Sequence, residues 1–330
     1  MSKSLSIDNK PASYIPDRKD LAILKCICDD ARLPYSAIGK KIRVSKDRVR
    51  ERMKRLEKEL FILSYMPLID YSKLGYKLFH VYARFNTSLD LGGLFIRTLR
   101  DNVHVVALTR LAGAWDMEIQ ILGRSRAHLL SILKDVGLYR SFVSNRMILE
   151  ARDVSLFSMR VELFQTNIIV HAPSIPSRIN LDTLDFSILS LLSVNAREKI
   201  IEIASSCGTS EDVIRYRIKR LLEMKVIRGF YARTNKHRFG LTSYILELSV
   251  ERLSLEDAQK LELFQNVYYI RSFKGNRNLL IGFSARDNKE LVKTIDYVKD
   301  CFGKRLGNFE LSLLLDRYKF LSLSASLLPA

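Results

Sequence analysis

The sequence predicts an α+β fold built twice: a winged helix-turn-helix followed by a four-stranded antiparallel sheet backed by two helices, then the same pair again. Three observations predict it. Residues 45–56 form a capped, strongly basic amphipathic pattern; residues 20–75 recur without a gap as residues 185–240, at a constant spacing of 165; and each copy precedes a β-α-β-β-α-β order. At 330 residues the chain exceeds one ordinary core, so several domains are expected.

Taken in order, residues 1–16 are polar, Ser-rich and hold two prolines, which predicts a flexible tail. Residues 17–75 carry the first winged helix-turn-helix. Its first helix, 17–30, has Ile23, Leu24 and Ile27 at helical spacing; 34–42 forms a second; and Arg43-Val44-Ser45 turns into the basic helix. Ser45 suits an N-cap, because its hydroxyl can accept from a free first-turn amide. Val49, Met53 and Leu56 recur at spacings of four and three and therefore share one face. Residues 61–69 alternate enough to predict a short hairpin, the wing.

Residues 76–165 then read as strand 78–85, helix 91–100, strands 103–111 and 115–122 turning at Ala112-Gly113, helix 125–136 and strand 146–152, a ferredoxin-like βαββαβ unit. Residues 166–180, with Pro173 and Pro176, predict a linker. The second winged helix-turn-helix spans 181–240 and the second ferredoxin-like domain 241–320, with strands at 244–250, 267–273, 279–283 and 310–315 and helices at 255–264 and 288–301; residues 321–330 predict a tail. Identities between the copies include Asp20/Asp185, Ala31/Ala196, Arg32/Arg197, Ser45/Ser210, Arg50/Arg215, Arg52/Arg217, Lys54/Lys219, Arg55/Arg220 and Gly75/Gly240. Ile214 and Ile218 answer Val49 and Met53.

Composition narrows the function. A net charge of +18 implies an acidic partner. No run of eighteen apolar residues occurs and the first sixteen residues lack a signal-peptide core, so a cytoplasmic protein with no membrane association is expected. The four cysteines, 26, 28, 207 and 301, and the five scattered histidines match no metal or disulfide pattern, so neither a metal nor a cofactor is expected. With no nucleophile–base motif and no phosphate-binding glycine loop, an enzyme is not expected either.

The basic stretch supplies the positive reading. From Lys40 to Lys58 there are ten Lys/Arg against three acids. Asp47, Arg48, Glu51, Lys54 and Arg55 lie opposite the apolar seam, with Lys46, Arg50 and Arg52 on its flanks. A helix so charged, third in a helix-turn-helix, is shaped for the major groove of double-stranded DNA. The second copy offers Arg215, Tyr216, Arg217, Lys219 and Arg220 on its helix and Arg228, Arg233, Lys236 and Arg238 in its wing. These residues are the candidate DNA contacts.

The run Val49-Arg-Glu-Arg-Met-Lys-Arg-Leu-Glu57, the run Val226-Ile-Arg-Gly-Phe230 and a ferredoxin-like domain after each winged helix resemble the Lrp/AsnC (feast/famine) transcription regulators. The resemblance implies a DNA-binding regulator whose sheet domains pair, here as an intramolecular pseudo-dimer or a homo-oligomer. It also implies a small effector such as an amino acid, bound between sheet domains near Gly113, Trp115 and Asp116. The second half has Gly275-Asn-Arg-Asn278 there, with an amide for the carboxylate, and Gly113 equally suits a turn needing positive φ. Sirohaem decarboxylases share the two-domain plan, some as fusions, and form the alternative from the enzyme class. The hairpin here has no histidine beside Ala114-Trp115-Asp116.

The two heads differ in charge. The first concentrates cations on its helix, the second in its wing, where Lys225, Arg228, Arg233, Lys236 and Arg238 have no acidic neighbour in their own copy. The expectation is a first head that reads bases, with Arg48 suited to guanine and Val213 of the second head limited to apolar contact, and a second head that clamps the backbone with its wing. An asymmetric DNA site would follow.

Overall fold

A computed structural model describes residues 14–87, 93–156, 179–251, 254–264, 266–275, 279–324 and 327. Residues 1–13 of the tail expected at 1–16 and most of the linker expected at 166–180 lie outside these residues.

Each helix-turn-helix is three helices: α1 (Arg18–Asp29), α2 (Tyr35–Ile42) and α3 (Lys46–Lys58) in the first copy, α6 (Thr183–Val194), α7 (Ile200–Cys207) and α8 (Glu211–Glu223) in the second. Val49, Met53 and Leu56 are buried together, as are Ile214, Ile218 and Leu221. The wing differs from the expectation. Residues 61–69 form no hairpin of their own; β1 (Ile62–Ile69) pairs antiparallel with β6 (Ile227–Thr234) of the other copy. A two-stranded ribbon joins the heads.

The repeated identities explain how the ribbon is clasped. The Ala31 amide donates to Phe230 O at 2.9 Å, and the Ala196 amide to Tyr65 O at 2.9 Å. Arg32 donates to Ala196 O at 2.6 Å, and Arg197 to Ala31 O and, at 3.1 Å, to Leu33 O. Each head thus holds the strand and the turn of the other, so the contact is self-complementary, as in a two-fold interface. All four Ala/Arg positions recur because each makes the same contact from the opposite side.

The sheets also exchange strands. The first consists of β2 (Lys77–Phe85), β3 (Val105–Gly113), β4 (Met117–Gly123) and β5 (Val143–Leu156); the second of β7 (Thr242–Val250), β8 (Val267–Phe273), β9 (Leu279–Ala285) and β10 (Leu306–Phe320). Around one closed barrel their order is β10-β3-β4-β2-β5-β8-β9-β7. Each last strand outruns its expected length because it serves two sheets. β5 leaves β2 and continues onto β8; β10 leaves β7 and continues onto β3, with a register shift between Leu314 and Asp316. Either sheet alone would expose two unpaired edges, which closure removes.

Strand alternation splits each sheet into two faces. Phe79, Val81, Ala83 and Phe85 pack outward under α4 (Leu94–Asp101) and α5 (Arg126–Asp135). Leu246, Leu248 and Val250 do the same under α9 (Leu255–Leu263) and α10 (Asn288–Phe302). The inward residues fill the barrel: Tyr82, Leu111, Trp115, Leu149, Ile245, Phe273, Leu280 and Leu314 form its apolar part. The expected tail at 321–330 is anchored where it is described. Tyr71 donates to Ser322 O at 2.7 Å, Ser322 Oγ donates to Pro67 O at 2.9 Å, and Leu323 and Leu327 join the core of the heads.

His80 sits fully buried within the barrel, its Nδ1 2.6 Å from Glu118 Oε1 and its Nε2 against Arg271 Nη1 from the second half. A neutral imidazole that donates to the carboxylate and accepts from the guanidinium satisfies both. Burial, with the Arg271 charge adding to it, pulls the imidazole down to about 4 from 6.5. The unfolded chain therefore takes up a proton through an interval where the fold does not, and stability falls as pH drops from 6.5 toward 4. His80→Gln is expected to flatten that limb, worth on the order of 1–3 kcal/mol, in urea unfolding followed across pH.

Candidate nucleic-acid interface

The basic helix forms as its sequence requires. Ser45 Oγ accepts from the Arg48 amide at 3.3 Å, and Ser210 Oγ from the Val213 amide at 3.4 Å. Lys46, Asp47, Arg48, Arg50, Glu51, Lys54 and Arg55 are exposed on α3. Arg48 bonds Glu51 at 2.8 Å, with both side chains more than 60% exposed. Among the described residues, Lys46, Arg50, Lys54 and Lys58 have no acid within ion-pair distance. Their charge is free to meet a polyanion.

Arg52 does something else. Its Nη1 lies 2.8 Å from carboxylate oxygens of both Asp17 and Asp20, across the start of α1. Asp20 has no exposure, bonds the Asp17 amide in a capping box and also accepts from the Tyr14 hydroxyl. Arg217 repeats the arrangement on Asp182 at 2.7 Å and Asp185 at 3.2 Å, and Arg220 reaches Asp185 at 3.3 Å. Arg55 is shared: it is exposed, yet lies 3.8 Å from Asp20 with its guanidinium 4.4 Å from the Tyr14 ring centre. Arg52, Arg217 and Arg220 thus lock the third helix to the first and are engaged with carboxylates of their own head. A buried aspartate at N3 of each first helix was the signal, present in the repeat as Asp20/Asp185.

On α8, Arg215 lies 2.8 Å from Glu211 and Lys219 3.7 Å from Glu223. Asp212, Val213, Tyr216 and Leu222 complete an exposed face that is weakly charged and partly apolar.

The cations of the second wing are mostly drawn inward, with Lys225 exposed. Arg228 bonds Asp70 at 2.6 Å, an acid supplied by the first copy, with both side chains largely buried. Arg233 and Lys236 are enclosed between the ribbon and the barrel, and Arg238 is half-buried on the turn after β6. Reading each copy alone concealed the partner of Arg228 and the enclosure of the others, because the ribbon pairs the copies. Arg228→Ala is expected to lower stability by roughly 1–3 kcal/mol, since it strips a charged hydrogen bond from a buried carboxylate. The salt slope of DNA binding, measured on the folded variant, should stay that of the parent.

The residues expected to meet an effector serve the barrel. Gly113 has φ of 123°, and a Cβ there would stand 2.6 Å from Leu311 O on the neighbouring strand. Asp116 Oδ2 accepts from the Phe85 amide at 2.8 Å. Trp115 is buried and donates to Glu247 Oε2 of the second half at 3.2 Å. All three stitch the hairpin to its surroundings.

Two helix-turn-helix units are thus joined by a ribbon and mounted on paired sheets, a tandem build. The AsnC-type helix-turn-helix domain matches residues 17–57 and again 181–222. The HTH-type transcriptional regulator LrpA of Pyrococcus horikoshii is 32% identical over 127 residues, covering 38% of this chain and 87% of that protein. LrpA of Pyrococcus abyssi is 30% identical over 143 residues, 42% of this chain and 99% of its own. The chain belongs to the Lrp/AsnC family of transcription regulators, as two units in one polypeptide. In overall fold it is similar to the sirohaem decarboxylase NirDL, with a TM-score of 0.59 over 93% of this chain and 94% of that one, at 13% identity. Among the described residues no helix is long and apolar enough to cross a membrane.

Proposed function

We propose that the chain is a sequence-specific regulator of double-stranded DNA, modulated by a small effector, in which the first head dominates recognition. The supporting observation is the contrast between equivalent helices. Lys46, Arg50 and Lys54 of α3 are exposed without an acid among the described residues, whereas Arg215 and Lys219 of α8 are each matched by a glutamate. Free cations supply phosphate affinity, and Arg48, outward near the helix start, is the residue suited to a guanine edge. Tyr216 and Val213 give the second helix apolar reach to thymine methyl groups.

Selection from a random duplex library, repeated over a salt series, tests the reading. An asymmetric consensus with affinity falling steeply as salt rises is the expected result. A symmetric consensus, or salt-sensitive binding with no enrichment, would sink it. Arg48→Ala is expected to cost about 1–3 kcal/mol on the selected site and to relax one base position. An equal loss on random DNA would make Arg48 a phosphate contact instead.

The likeness to the sirohaem decarboxylase spans both halves and supports a second reading, an enzyme on the same scaffold. A tetrapyrrole absorbance band in the purified protein, with no DNA binding, would favour it.

A further inference from the structure

Beneath the ribbon the chain gathers cations that DNA cannot reach. On β6, Phe230 and Ala232 face the core of the heads, so alternation turns Tyr231 and Arg233 toward the barrel. Arg233 lies with its guanidinium 4.8 Å from the Phe320 ring centre, and Arg317 of β10 with its own at 4.7 Å from the same ring. Lys236, on the turn after β6, places Nζ 4.0 Å from the Tyr268 ring centre.

Arg233 and Lys236 both sense the charge of Arg317. Burial, with the charge of Arg317 adding to it, brings Arg233 down to about 9 and Lys236 down to about 8. Among the described residues none of the three has a carboxylate within ion-pair distance. Glu118 is the acid that senses Arg317, and it is already bonded to His80 and Gln120. Asp316 precedes Arg317 on β10, so the pleat aims it at the other face, where His237 senses it. Arg233 and Lys236 are enclosed by protein, and all three side chains keep intermediate exposure. A buried charge without a counter-charge is costly, and a fold that holds three together is completed by an anion.

We infer that the space bounded by Arg233, Lys236, Arg317, Tyr231, Tyr268 and Phe320 is a binding site for a small organic polycarboxylate. Two planar guanidinium forks and one ammonium, carried on separate elements, match several anionic oxygens spread over one molecule. The aromatic walls match an organic body better than an inorganic ion. The site is separate from the hairpin at Gly113, Trp115 and Asp116. It lies where the ribbon that carries both heads rests on the barrel.

Thermal unfolding and isothermal titration of the full chain without DNA test the inference, using citrate and benzene-1,3,5-tricarboxylate against sodium chloride at matched ionic strength. At least one tricarboxylate should bind saturably, near one per chain, and raise Tm beyond the chloride control. Lys236→Met breaks no ion pair and relieves like-charge repulsion, so its ligand-free Tm should equal or exceed that of the parent. Its tricarboxylate affinity should fall at least about 10-fold, and that of Arg233→Gln likewise. Stabilisation that follows ionic strength alone, or that survives unchanged in both variants, overturns the site.

Discussion

Arg52→Ala is expected to remove about 3–5 kcal/mol of folding stability, because it strands a buried carboxylate rather than a DNA phosphate. Arg52 is the principal counter-charge of Asp20, at 2.8 Å, with Arg55 only at 3.8 Å. Asp20 itself has no exposed surface and accepts from the Asp17 amide at the start of α1. Without Arg52, α3 loses its shorter tie to α1 and keeps its apolar seam and the longer contact of Arg55 with Asp20.

The second copy supplies an internal comparison. Asp185 is reached by two arginines, Arg217 at 3.2 Å and Arg220 at 3.3 Å, so Arg217→Ala leaves it a partner. Its cost should be roughly half that of Arg52→Ala. Urea unfolding gives the ordering directly. If Arg52→Ala left the unfolding midpoint alone and instead shallowed the salt dependence of DNA binding, Arg52 would return to the phosphate contacts.

These arginines also mark the limit of what the sequence reveals. Amphipathic spacing places Val49, Met53 and Leu56 correctly on the buried face, since that depends only on helical geometry. The same wheel puts Arg52 on the flank, and a flank arginine looks alike whether it faces solvent or a neighbouring helix. The gap-free repeat reveals two heads and two sheets because duplicated units keep their spacing. What it hides is pairing between copies. The wing residues Arg228, Arg233 and Lys236 read as exposed only while each copy is taken as self-contained; the β1–β6 ribbon gives Arg228 the carboxylate of Asp70 and encloses the other two. In the same way, the second half of β10 has no partner within its own sheet and becomes a strand only against β3. Local pattern predicts elements, whereas a strand exchanged between halves depends on long-range register.

Paired charge reversals in the two heads should separate them most sharply. Arg50 and Lys54 of α3 correspond to Arg215 and Lys219 of α8, so the residue types are identical and only their surroundings differ. Arg50→Glu with Lys54→Glu removes two unmatched cations and adds two anions on the face offered to the groove. Specific affinity should fall by about 100-fold or more at moderate salt, with the salt slope shallower by about two. Arg215→Glu with Lys219→Glu acts where Glu211 and Glu223 already neutralise the cations, so the loss should stay under about 10-fold. Fluorescence anisotropy with the selected duplex at several salt concentrations distinguishes the two. Equal losses would mean that the glutamates on α8 release their partners when DNA arrives, and both heads would then grip the backbone alike.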